Sequence, residues 1–191
     1  MRIIAGKFRG AELAGPKGHD FRPTSDKVRE SIFNILTHGI EGARVEYARV
    51  LDLFAGTGAL GLEALSRGAE YVHFVEDNAG TRGLIRRNIE ALGATGVTGI
   101  YRRDATKLGV AGTLRPFDLV FADPPYGKRL AERALKAALD GLWLQQDATI
   151  VVEERADAEF TLPAGFILID ERVYSDTKIR FLRLEPFVYA R

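Results

Sequence analysis

The run Arg49-Val50-Leu51-Asp52-Leu53-Phe54 has a strand pattern, and it feeds directly into Ala55-Gly56-Thr57-Gly58-Ala59-Leu60-Gly61. The stretch that follows to Arg67 is helical, with Leu60 and Ala64 on one side, Leu62 and Leu65 close by, and Gly68 as its C-terminal stop. A strand, a glycine turn and a helix in this order form a nucleotide-type cofactor site at the carboxyl edge of a parallel sheet. Such a unit commits the chain to an α/β fold.

The rest of the sequence repeats the alternation. Tyr71 to Val75, Val97 to Tyr101, Phe117 to Ala122 and Ala148 to Glu153 read as further strands, with helices near 78–92 and 129–140. Phe166 to Val173 and Lys178 to Leu184 are two more, and their joint is so short that only an antiparallel pairing is possible. Upstream, residues 1–13 look like a short hairpin, and Thr24 or Ser25 can cap a helix from about Asp26 to His38. A loop is expected over Gly39 to Ala48. The organisation expected is therefore an N-terminal hairpin and helix over 1–38 and one catalytic domain over 49–185.

Acids mark the strand ends. Asp52, Glu76, Asp104 and Asp123 all fall at or near predicted C-terminal ends, so the crevice should be ringed with carboxylates. Gly56-x-Gly58-x-x-Gly61 fits a dinucleotide fingerprint, and Glu76 suits a ribose diol in a nicotinamide or an S-adenosylmethionine enzyme alike. The carboxylates separate the two, because they would repel a pyrophosphate and attract a sulfonium and an ammonium. The expected cofactor is S-adenosylmethionine, with S-adenosylhomocysteine as product, bound by Asp52, Phe54, Gly56, Thr57, Gly58, Glu76 and Asp104. Asp104 reads equally as the cap of a short segment from Ala105 to Leu108, and Glu76 as a cap for the helix beginning near Asn78.

The strand Phe117 to Ala122 ends in Asp123-Pro124-Pro125-Tyr126. The prolines fix φ and remove backbone donors, so the Pro124 carbonyl can stand beside the Asp123 carboxylate as a second acceptor for one planar NH2. Tyr126 offers a face on which a base can stack. Two acceptors on one exocyclic amine localise its lone pair, and the nitrogen can then attack a methyl group. A proline-stiffened turn with Asp123 as a turn residue accounts for the same four residues more plainly.

Cysteine is absent, which excludes disulfides, thiolate metal sites and methylation through a cysteine adduct. The three histidines are scattered, His73 reads as a satisfied structural residue, and no metal site is expected. No apolar stretch has membrane-spanning length, so a soluble, cytoplasmic protein is expected. Formal net charge is only +1, yet Met1 to Arg29 holds seven basic residues against three acids. Lys128, Arg129, Arg133 and Lys136 follow the Asp-Pro-Pro-Tyr turn, although Arg133 and Lys136 also fit a solvated helix face. Lys7, Arg9, Arg22, Lys27, Lys128 and Arg129 are the candidate contacts to a phosphate-bearing polymer.

Four segments carry a resemblance: Arg2-Ile3-Ile4-Ala5-Gly6 with Arg9-Gly10, Arg22 to Asn34, Asp52 to Gly68, and Asp123 to Tyr126. Together they resemble the bacterial RsmD family of small-subunit ribosomal RNA guanine methyltransferases, nearly end to end. The resemblance implies a Rossmann-like, seven-stranded class I methyltransferase sheet with an antiparallel last strand. It implies methyl transfer from S-adenosylmethionine to the exocyclic N2 of a guanine in 16S ribosomal RNA, free or within an assembled or partly assembled subunit. It also implies that the Arg22 to Glu30 segment closes over the methionine end of the cofactor, with Thr24 and Arg29 as contacts. The linker Ala43 to Ala48 is longer than the family pattern. Two other readings stand beside this one. An adenine-amine (N6) DNA or RNA methyltransferase shares the Asp-Pro-Pro-Tyr chemistry, although 191 residues leave little room for a DNA-recognition domain. An NAD-dependent oxidoreductase has only the glycines and Glu76 in its favour.

Overall fold

The computed structural model describes residues 1–16, 25–125 and 128–185. Its helices are α1 (Asp26–His38), α2 (Ala59–Ser66), α3 (Ala79–Ala91) and α4 (Leu130–Asp140). Its strands are β1 (Arg49–Leu53), β2 (Tyr71–Val75), β3 (Thr98–Tyr101), β4 (Phe117–Ala122), β5 (Leu144–Arg155), β6 (Phe166–Tyr174) and β7 (Thr177–Leu184). The seven strands form one sheet in the order β3-β2-β1-β4-β5-β7-β6. Pairing is parallel as far as β5, and β7 runs antiparallel to both β5 and β6. The antiparallel last strand is therefore present.

Alternation along the strands builds two cores. Val50, Val72, Phe74, Leu119 and Phe121 face α1, α2 and α3, while Leu51, Leu53, Val75, Val120 and Ala122 face α4. The helices change sides where the strand order reverses, between β1 and β4. In open α/β sheets the crevice at that reversal, beyond the carboxyl ends of the strands, is where ligands bind.

The residues 1–13 hairpin is slight, with a single antiparallel bridge between Arg2 and Glu12 and backbone bonds joining Ile3 to Ala11 and Leu13 to Met1. Its stability comes from docking on α2. Glu63, wholly buried on that helix, accepts from the N–H groups of Ile4 at 2.8 Å and Ala5 at 3.1 Å and from Arg67 Nε at 2.7 Å. Ser66 Oγ accepts from Phe8 N–H at 2.9 Å. Gly6, with φ +82°, lies so close to the Ser66 carbonyl that a Cβ there would overlap it. With the sheet on its other face, this cover completes the burial of every residue from Leu60 to Ser66.

β5 is the main departure from expectation, since it begins at Leu144 and runs 12 residues, not six. Its first turn of chain, Leu144-Gln145-Gln146-Asp147, is half-buried to exposed, yet Leu144 pairs with Phe117. A strand whose leading residues face solvent shows no apolar alternation.

Candidate active site

β1 delivers the chain into the glycine turn through an unusual backbone. Phe54 sits at φ +57°, Gly56 at +55° and Gly58 at +79°. A left-handed conformation costs a residue with a Cβ roughly 1–2 kcal/mol, and here it points the Phe54 side chain into the crevice wall. Gly61 serves the close packing of α2 on the sheet, because a Cβ would come within 2.5 Å of Phe74 and 2.7 Å of Val72. Gly58 caps α2 from behind the wall without lining it.

A cavity of about 510 Å³ opens at the switch point. Asp52, Phe54, Gly56 and Thr57 line it from β1 and its turn, Glu76 from the end of β2, Asp104 from the end of β3, and Asp123, Pro124 and Pro125 from the end of β4. The four acids expected at the strand ends, the glycine turn and the double proline thus share one site. Thr24, Arg22 and Tyr126 lie outside the described residues.

Each acid is held. Glu76 Oε2 accepts from Gly56 N–H at 2.9 Å and Oε1 from Asn78 N–H at 2.8 Å, so the carboxylate ties the glycine turn to the start of α3. Asn78 caps α3, accepting from Gly80 and Thr81, which leaves Glu76 free of the capping role. Asp104 does cap the 3-10 turn Ala105–Lys107: Oδ1 takes both the N–H and the hydroxyl of Thr106, at 2.8 and 2.7 Å. Its Oδ2 has no partner among the described residues, so the cap and a place on the cavity wall coexist. Burial pushes Asp104 up, but the Thr106 bonds and the charges of Lys107 and Arg133 outweigh it and leave the carboxyl below its ordinary range.

Asp52 is the most strained group electrostatically. It is 2% exposed and accepts one bond, from Gly61 N–H at 3.0 Å. Burial is the main cause that pushes its pKa up to about 8, opposed by the Gly61 bond and reinforced by the nearby Glu76 charge. The interior of the cavity is short of positive charge.

Several expected residues lie elsewhere. Arg29 is fully buried on α1 and does not line the cavity; it donates to the Arg2 carbonyl at 2.6 Å and to Asp26 at 2.8 Å, with Glu63 at 3.8 Å. Through these contacts it clasps α1 to the arm. Lys7 and Arg9 sit at the hairpin tip against the C-terminal end of α2, roughly 12 Å along the helix from the glycine turn at 1.5 Å per residue. Lys27 and Lys128 are exposed. Arg129 donates to Glu132 at 3.3 Å and to Thr161 Oγ1 at 2.9 Å, with its side chain still exposed. His73 faces the α4 side among Tyr71, Tyr101, Phe117 and Trp143. Burial and then Arg49 push its pKa down to about 4, and only Nδ1 finds a partner, so it is structural but only half satisfied.

The sequence reading missed Met1, Asp77, Asn78, Thr81 and Arg103, which also line the cavity. It missed Asn88 as well, buried on α3, whose Nδ2 donates to the carbonyls of Ala14 and Thr57 while Oδ1 accepts from Ala14 N–H. Arg103 adjoins Asp104 and was within reach of that signal; a mid-helix asparagine carries none.

Comparison with known proteins extends the geometry. The chain is 37% identical over 187 residues to Ribosomal RNA small subunit methyltransferase D of Escherichia coli strain K12, covering 97% of this chain and 90% of that protein. It is 34% identical over 174 residues to the protein of the same name in Haemophilus influenzae, covering 90% and 88%. The solved structure of the Escherichia coli yhhF protein superimposes with a TM-score of 0.82 at 34% identity, covering 97% of this chain and 98% of that one. The sheet is that of class I methyltransferases. Among the described residues, no helix is long and apolar enough to cross a membrane. Because the family model described as Conserved hypothetical protein 95 matches residues 1–183, spanning the docked arm as well as the sheet, this chain belongs to that family of small-subunit ribosomal RNA methyltransferase D relatives.

Proposed function

We propose that this protein transfers a methyl group from S-adenosylmethionine to the exocyclic N2 of a guanine in 16S ribosomal RNA. The observation that carries the reading is the meeting of Asp123-Pro124-Pro125 with the glycine turn and the strand-end acids Asp52, Glu76 and Asp104 on one cavity wall. The name shared by the Escherichia coli and Haemophilus influenzae relatives supports the RNA class of substrate.

The residues present fit the donor. The cavity lies within the roughly 300–1,000 Å³ typical of small-molecule sites. Glu76 would accept from the ribose hydroxyls while Gly56 and Asn78 hold its carboxylate in place, and Asp104 Oδ2 would accept from the adenine amine. Asp52 would meet the ammonium. A dinucleotide would instead press its phosphates against these acids, so the charge distribution disfavours a nicotinamide cofactor. When bound, the donor supplies an electrophilic methyl on a sulfonium.

Asp123 and the Pro124 carbonyl would accept hydrogen bonds from the two N–H groups of the guanine amine, orient its lone pair and stabilise the positive charge that grows on nitrogen as the N–C bond forms and the sulfonium C–S bond breaks, one N–H proton then being lost from the methylated amine. That stabilisation is greatest at the transition state. The Pro124 ring removes a donor that would otherwise compete for the same acceptors.

Mass mapping of methylated nucleosides in ribosomal RNA from a strain lacking the gene, against the same strain carrying it, tests the reading. One 2-methylguanine in 16S RNA should appear with the gene. A gene-dependent 6-methyladenine, or no gene-dependent methyl group at all, refutes it.

A further inference from the structure

The acidic cavity has a cationic lip on one side. Arg103 leaves the end of β3 exposed, lines the cavity, lies 5.2 Å from the Tyr101 ring and donates from Nε at 3.2 Å and Nη2 at 2.9 Å to the Tyr101 hydroxyl. Lys107 ends the 3-10 turn that Asp104 caps, and Arg133 stands on the first turns of α4, whose Ala131 and Leu135 pack in one core with Ala105 and Leu108. Both are exposed, and neither is ion-paired among the described residues. Neither lines the cavity itself, but the packed 3-10 turn and α4 carry both beside Asp104, which does, and both charges act on its carboxyl.

We propose that Arg103, Lys107 and Arg133 form the track on which the phosphates flanking the target nucleotide sit, so that the RNA enters over the β3–α4 lip and not along the N-terminal hairpin. The inference rests on the reading of an RNA substrate. Its physical basis is the change of sign across a short distance. A phosphate backbone is attracted to the lip and repelled by Glu76, Asp104 and Asp123 below it, whereas an uncharged base can pass the lip and reach Asp123. The Arg103 guanidinium is held by two bonds to one hydroxyl, which lowers the ordering cost of a phosphate contact. The hairpin cations lack this relation to the cavity, since Lys7 and Arg9 stand at the far end of α2.

The test measures binding of in vitro transcribed 16S ribosomal RNA between 50 and 200 mM salt. Arg103→Gln, Lys107→Gln and Arg133→Gln should each flatten the slope of log affinity against log salt by ~0.7–0.9, and the triple variant by about 2 or more. Lys136→Gln, an exposed lysine paired with Asp140 three residues beyond Arg133, should leave the slope at its wild-type value. S-adenosylhomocysteine affinity of Lys107→Gln and Arg133→Gln should be unaltered. A wild-type slope in the triple variant overturns the proposal, as does a loss confined to Lys7→Gln and Arg9→Gln. A wild-type protein with no salt-dependent RNA affinity at all refutes instead the RNA reading on which the proposal rests.

Discussion

Asp52→Asn should change how stability depends on pH. In the folded chain the Asp52 carboxyl titrates near 8, against an ordinary value of 3.8. Between those values the folded state holds a proton that the unfolded state has released, so stability falls as pH rises through the window and the loss is complete only above the folded value. Each pH unit well inside the window is worth about 1.4 kcal/mol, and allowing for partial ionisation near pH 8 the loss from pH 6 to pH 8 is about 2 kcal/mol. Asparagine keeps an oxygen for the Gly61 N–H but cannot ionise. His73, neutral in the folded chain above about pH 4, is common to both proteins and cancels in the difference. Urea unfolding of both proteins at pH 6, 7 and 8, with cofactor removed, should show the wild type losing about 2 kcal/mol relative to the variant, a substantial part of a typical 5–15 kcal/mol stability. Parallel pH profiles would refute a buried, protonated Asp52.

Binding of S-adenosylmethionine at pH 7 should release close to one proton, because a cation beside Asp52 favours its carboxylate; calorimetric heats should then vary with the ionisation enthalpy of the buffer, and Asp52→Asn should abolish the variation. Asp123→Asn should lower kcat roughly a hundredfold or more with cofactor affinity little changed, as measured by single-turnover transfer and calorimetry, and near-normal turnover would remove Asp123 from the chemistry. Gly6→Ala should cost about 2 kcal/mol or more, from its left-handed φ and the overlap with the Ser66 carbonyl, and an unfolding midpoint equal to wild type would mean the arm is not docked on α2 as described.

Local rules fixed most of the elements. Ser25, accepting from Val28 N–H at 3.2 Å, starts α1 at Asp26, and Gly68 at φ +102° follows the last turn of α2. The strand-end acids were legible because carboxylates at the close of apolar runs have few structural uses, and parallel pairing brings those ends to one edge. Long-range partnerships were not legible. Glu63 and Ser66 read as the polar face of a helix until the hairpin covers them, with contacts spanning 58–61 residues of sequence. Arg29 carries a motif's identity, but its burial depends on where Arg2 and Glu63 end up, which no local pattern encodes. Lys107 and Arg133 matter only because the 3-10 turn and α4 pack together.

The strand order has a consequence for how the protein is made. β7 lies between β5 and β6, so the inner edges of both earlier strands stay open until residues 177–184 arrive. Translation at about 5–20 residues per second takes roughly 1–6 s to go from Arg155 to Leu184. For that interval the nascent chain carries the apolar edge Ile150-Val151-Val152 without its partner, a template for pairing with a neighbouring chain. The half of the sheet whose strand ends line the cavity can form early. Its closure waits on the ribosome, and the window for misassembly should lengthen wherever codons between 155 and 184 are translated slowly.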